Sequence, residues 1–204
     1  MKREEKEEFL DAETVEDKEI DYSKYEERKS SVGQNEESTE NQDQYHTDLI
    51  PEGMPASVEP ENTEVDTSSE EVCYLSISCD TILDNMDDLT PGKESMVPSD
   101  GVILPETEVS FYEGESVFDV LQRVTKNNRI HMESSFTPKY NSAYVEGINN
   151  LYEFDCGKLS GWMYEVNGWY PNYGCSRYQV KAGDVIHWNY TCDLGRDLGQ
   201  IWVK

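Results

Sequence analysis

The side chains able to do chemistry in this chain are five cysteines, three histidines and an aromatic-rich stretch between Cys156 and Cys192 that holds three of the four tryptophans. Cys73, Cys79, Cys156, Cys175 and Cys192 lack the close paired spacing of a zinc site. Disulfides suit them better, with one thiol left over. Cys156 with Cys175 is the preferred bridge, because the two flank the aromatic stretch and would pin its base. Cys73 or Cys79 with Cys192 comes second. A thiol nucleophile would need His131 or His187 beside it, and no local signature supplies that arrangement. The same two histidines could bind cobalt through imidazole, but lone histidines on strands are mostly surface or hydrogen-bonded groups. Asp184, Asp193 and Asp197 have no calcium-loop spacing and read as solvated loop acids. No metal site, no required cofactor and no catalytic residue is therefore expected, and the chain reads as a non-enzyme.

The aromatic stretch offers binding rather than catalysis. From Gly161 to Val166, Trp162, Tyr164 and Val166 alternate with Met163 and Glu165, the period of a half-buried strand. Asn167-Gly168 follows, a strong hairpin signal because both turn positions need positive φ. Trp169-Tyr170 begins the return, Pro171 ends it, and Pro171-Asn-Tyr-Gly174 forms a second turn. Trp162, Tyr164 and Trp188 thus have the spacing of core residues. Trp169, Tyr170, Asn172 and Tyr173 lie on turns that a ligand could reach, and aromatic rings there would give contact area at low entropic cost.

The elements that position this stretch are legible upstream. Cys73, Leu75, Ile77 and Cys79 alternate with polar residues and predict a strand over 72–79. Asp84 to Gly101 reads as a loop, and Thr107 to Tyr112 as a second strand. Val117, Val120, Leu121 and Val124 then follow helical spacing. Ser116 is placed to cap that helix, with Asp119 completing an acidic capping box, and Asn127-Asn128 mark its end. Short strands are expected over 130–134, 143–148, 151–154 and 185–192, and a last edge strand at 201–203. One helix against a mixed sheet is the α+β class.

Composition sets the outer limits. A formal charge of −26 excludes nucleic acid and disfavours an anionic membrane surface, since both need a basic footprint. No apolar run reaches the roughly 20 residues needed to cross a bilayer. Residues 1–71 are acidic, poor in apolar side chains and punctuated by Pro51, Pro55 and Pro60, which predicts a disordered arm or linker ahead of a folded domain over 72–204. Cysteines among aromatics and tight turns suit an oxidising compartment, yet no export signal is visible. That conflict points to a signal or anchor upstream of the residues given.

Five segments in order, Gly114-Glu-Ser-Val-Phe-Asp-Val-Leu, Tyr152-Glu-Phe, Gly161-Trp-Met-Tyr-Glu-Val-Asn-Gly, Tyr170-Pro-Asn-Tyr-Gly and Lys181-Ala-Gly-Asp-Val-Ile, resemble a bacterial domain-of-unknown-function family. That family is grouped with the C-terminal domain of transcobalamin and intrinsic factor. The resemblance covers about residues 72–199 and implies a β-grasp-like fold, with corrinoid binding at the bacterial cell surface. In the animal proteins the module closes over one face of cobalamin while an α-helical barrel supplies the other. This chain shows no such barrel, so only half of that enclosure is implied. Bacterial relatives also serve as surface or adhesion modules, which makes a surface protein or glycan the alternative partner. Carried over, the ligand-facing hairpin falls on Gly161 to Tyr164 and the loop Asn172-Tyr173-Gly174. The expected contacts are therefore Trp162, Tyr164, Trp169, Tyr170, Asn172, Tyr173 and Gly174, on a monomeric or tethered module exposed outside the cell.

Overall fold

A computed structural model describes residues 50–200. The chain divides into two units, Met1–Ser38 and Thr39–Lys204, and every described residue belongs to the second. The acidic arm lies outside the described residues as far as residue 49, as does the strand expected at 201–203.

The four-stranded sheet follows from its alternating sequences. β1 (Asp66–Ser78) turns Cys73, Leu75 and Ile77 fully inward and leaves Tyr74, Ser76 and Ser78 half-buried. β2 (Val102–Glu113) returns antiparallel to it, burying Leu104, Val109 and Phe111. β2 is an edge strand, and an edge tolerates Pro105, which has no N–H for a ladder.

α1 (Val117–Asn128) carries the chain across the sheet and buries Val117, Val120, Leu121, Val124 and Thr125. Each fully buried aliphatic side chain contributes about 1.5–3 kcal/mol. The capping box is formed: the Asp119 N–H donates to Ser116 Oγ at 3.2 Å, and the Ser116 N–H donates to the Asp119 carboxylate at 2.8 Å. Arg129, at φ 57°, closes the other end in the left-handed region.

β3 (Met132–Thr137), β4 (Ser142–Ile148) and β5 (Leu151–Tyr152) form a separate antiparallel sheet. The chain then rejoins the first sheet through β6 (Gly161–Val166) and β7 (Val185–Thr191). β7 runs parallel to β1, with Leu75 opposite Ile186 and Ile77 opposite Trp188. β6 lies antiparallel on its far side, which gives the order β2-β1-β7-β6. A hairpin, a crossing helix and a last strand parallel to the first in the sheet centre make the α+β, β-grasp-like fold.

Several boundaries differ from the expectation: β2 starts at Val102 rather than Thr107 and β3 covers Met132–Thr137 rather than 130–134, and three further differences have a clear physical reason. Order begins ahead of residue 72, with Ile50 buried and β1 starting at Asp66. Residues 57–59 are held by Arg177, whose side chain is buried and donates to Val58 O at 3.1 Å and to Glu59 Oε1 at 2.8 Å. The Val58 N–H in turn donates to the Arg177 carbonyl at 2.9 Å. A polar segment without apolar periodicity can still order when its oxygens satisfy a buried charge. The expected 84–101 loop contains two short 3₁₀ turns, Met86–Asp88 and Glu94–Met96, which follow a third at Asp80–Asp84. Lys93 fastens this stretch to Asp155 at 2.6 Å. β5 stops at Tyr152 instead of residue 154, because Phe154 takes φ 67° and the Asp155 carboxylate accepts the Tyr152 N–H.

Candidate functional site

The hairpin signal at Asn167-Gly168 gives a two-residue turn with both φ values positive, 55° and 80°, closed by Val166 and Trp169. Asn167 then reaches away from the turn: its amide donates to Asp184 and its oxygen accepts the Val185 N–H. Trp169 does not extend into a strand, and β6 takes β7 as its partner instead. Beyond Pro171 the turn packs inward, and this decides the fate of the expected contacts.

Tyr173, placed by the sequence on an accessible turn, is buried and donates its hydroxyl to Pro55 O at 2.8 Å. Its carbonyl accepts the Tyr164 hydroxyl at 2.8 Å. Tyr164 is buried against Trp188, and its burial raises its phenol pKa well above the ordinary value. Trp169, half-buried, meets Tyr173 edge-on at 5.9 Å. Asn172 is also half-buried. Gly174 presses on β4: a Cβ there would stand 1.8 Å from Ser142 Oγ, so glycine serves packing at this point. Tyr170 lies on the other face of the sheet, where its hydroxyl accepts from Asn189 Nδ2 at 3.1 Å. The seven residues therefore do not share one exposed face.

Of the seven, Trp162 lines the open groove beside β6. Its Nε1–H donates to Leu151 O at 2.8 Å and its ring meets Tyr190 edge-on, while its rim faces a cavity of about 540 Å³. Gly161 and Met163 border the same cavity, along the edge strand β6. An edge strand leaves some backbone N–H and C=O groups without a ladder partner. The other walls are Tyr144 from β4, Phe154, Leu159 and Leu194 from loops, and the polar Glu153, Lys158 and Thr191. Tyr144, Phe154, Leu159 and Leu194 are all exposed, Phe154 to 61%. Apolar side chains gathered beside a groove are what a ligand or partner covers.

Backbone strain coincides with this groove. Phe154 at φ 67° and Leu194 at φ 50° both occupy the left-handed region that non-glycine residues avoid. Neither conformation buries its side chain, so the strain aims apolar groups outward. Tyr144 donates its hydroxyl to Glu153; burial and then that carboxylate push the phenol above its usual pKa, so it stays protonated. The sequence revealed Trp162 through its alternation; Tyr144 and Phe154 fell inside the short strands expected over 143–148 and 151–154, and neither they nor Leu159 and Leu194 were marked as groove residues.

The groups weighed for chemistry have structural partners. Ser76 Oγ hydrogen-bonds His187 Nδ1, and His187 Nε2 is 3.9 Å from Glu165, beyond hydrogen-bond reach. His131 stacks at an angle on Tyr152 at 5.8 Å. Asp184, expected to be solvated, is buried and accepts from Asn167 and from the Lys181 N–H. Asp197 accepts from Thr191 Oγ1 and the Cys192 N–H, and Asp193 pairs with Arg196. Among the described residues no group of three or more His, Cys, Asp or Glu side chains is arranged to hold a metal.

All five cysteines are free thiols. The preferred Cys156–Cys175 bridge is not formed: Cys156 lies 3.4 Å from Asn85 O, while Cys175 lies 3.7 Å from Ala143 O at the start of β4. The turn after Pro171 sends Cys175 toward β4 and away from the base of the hairpin. Cys73 and Cys79 are sealed inside β1 and its end, and burial pushes each thiol up to about 12. Neither is bonded to Cys192.

Residues 114–192 match the family model DUF4430, a domain of unknown function. No curated protein matches the chain. Among solved structures, haptocorrin in complex with Cbi superposes over 66% of this chain with a TM-score of 0.44 and 14% identity, and the chain spans only 28% of the haptocorrin length. A Ruminococcus gnavus protein, described provisionally as metal binding, aligns over 59% of this chain and 96% of its own at a TM-score of 0.35 and 13% identity.

Proposed function

We propose that this chain is a non-enzymatic binding module, displayed outside the cell, whose groove beside β6 receives one face or edge of a corrinoid. The observation that carries this reading is the coincidence of the apolar groove with Gly161-Trp162-Met163, the segment that the family resemblance assigns to the ligand face. A flat macrocycle fringed with carboxamides suits both parts of the groove. Its rim would pack on Trp162, Phe154, Leu159 and Leu194, and its amides would meet the edge of β6. The cavity is open, in keeping with a half-site whose ligand keeps its other face outside it.

Absorbance titration of the whole chain with cobalamin and with cobinamide tests this. Saturable binding in the micromolar range is expected, weakened by Phe154→Ser, while absence of binding at high micromolar concentration overturns the corrinoid assignment. Retention on a glycan array in that case would favour recognition of a surface glycan.

A further inference from the structure

The structure brings together two cysteines that the sequence leaves far apart. Cys156 sits in the loop between β5 and β6, bridged to Leu89, and Cys192 follows directly on the end of β7. Both sulfurs turn toward the Asp80–Asp84 turn and the residue after it. Cys156 Sγ is 3.4 Å from Asn85 O, and Cys192 Sγ is 3.7 Å from Thr81 Oγ1. Asn85 and Thr81 are themselves joined, Asn85 Nδ2 donating to Thr81 O at 2.8 Å, and Thr81 Oγ1 donates onward to Tyr190 O at 2.6 Å. The two side chains thus meet on the same turn, near enough for each thiol to perturb the ionisation of the other. Cys73, Cys79 and Cys175 are buried elsewhere and have no thiol neighbour of this kind among the described residues.

We infer that Cys156 and Cys192 form a disulfide when the chain meets an oxidising disulfide donor. One thiolate attacks the donor and releases its first thiol. The second thiolate then displaces the mixed disulfide and releases the other. The protein gives up two protons and two electrons, and one donor disulfide becomes two thiols. Cys192, only half-buried, is the sulfur that such a donor reaches first.

The location gives the bond a role. The loop holding Cys156 also carries Phe154 and Leu159, and the residues after Cys192 carry Leu194, so the bridge joins two adjoining segments that line the groove. The Leu194 N–H already donates to Leu159 O at 2.9 Å between these segments. A covalent tie there would hold the groove's shape whatever occupies it, and the bond is independent of the ligand's identity.

The test uses the whole chain, equilibrated with oxidised glutathione or with dithiothreitol, then alkylated under denaturing conditions and mapped by peptide mass spectrometry. The expected result is loss of two hydrogens, one linked peptide pair containing Cys156 and Cys192, and three thiols still open to alkylation. Closing a loop of this length is expected to raise Tm by about 10 °C over the reduced protein. Cys192→Ser should abolish both the linkage and the oxidation-dependent Tm shift. Five alkylated cysteines after oxidation, or a link from either residue to Cys73, Cys79 or Cys175, overturns the inference.

Discussion

At the scale of residues, Phe154 shows how the groove was obtained at the expense of backbone comfort. Its ring is exposed and its φ is 67°, so the fold gains little from the side chain and bears the strain of holding it. Phe154→Gly is therefore expected to stabilise the protein by about 1 kcal/mol in urea melts, because glycine occupies this region freely. The same change should weaken corrinoid binding by about tenfold or more, since it removes a large apolar contact. Loss of stability would show that the ring is a packing element. Gly174 makes the opposite case. Its Cα abuts Ser142, so Gly174→Ala should cost about 1–3 kcal/mol through overpacking, measurable as a lower urea midpoint. Neither role was readable in the sequence. Phe154 read as the last residue of a strand over 151–154, and Gly174 as part of an accessible turn.

At the scale of elements, the helix was the most legible, because periodicity and cap coincide: the 3.6-residue stripe from Val117 to Val124 begins one residue after a Ser116–Asp119 capping box. The strand expected over 185–192, formed as β7 over Val185–Thr191, was equally plain from its alternation. The segment ahead of β1 was not. Its acids and prolines carry a linker's composition, and its order depends on Arg177, more than a hundred positions away in sequence. Arg177→Met should therefore release residues 57–59 and leave Glu59 without that charge partner. A loss of about 3 kcal/mol is expected in equilibrium unfolding, together with new proteolytic cleavage near these residues. Unchanged proteolysis would mean that the segment is held by Tyr173 and Pro55 instead.

At the scale of the whole molecule, acid stability tests how charge is distributed over an acidic chain. Glu115 receives two hydrogen bonds from Arg123, at 2.8 and 2.6 Å, and another from the Tyr112 N–H. Burial raises its pKa, but Arg123 and the Tyr112 N–H outweigh that and leave it below the ordinary carboxylate value. A depressed folded-state pKa gives stability that is complete above the unfolded value of about 4.3 and is lost as pH falls through the lower folded one. Wild-type Tm should thus fall below about pH 4, and Glu115→Gln should flatten part of that fall. Identical pH slopes would show that the pair contributes nothing. The sequence by itself determined the fold class, the capped helix and the alternating strands of the sheet, because these depend on local periodicity and on neighbours a few residues apart. Only the tertiary structure decided which aromatics are reachable, which cysteines meet and that residues ahead of 72 pack on the domain. Those outcomes depend on loops that fold back over long separations, where a buried charge such as Arg177 or a close approach such as Gly174 on Ser142 selects the path and no periodic signal marks it.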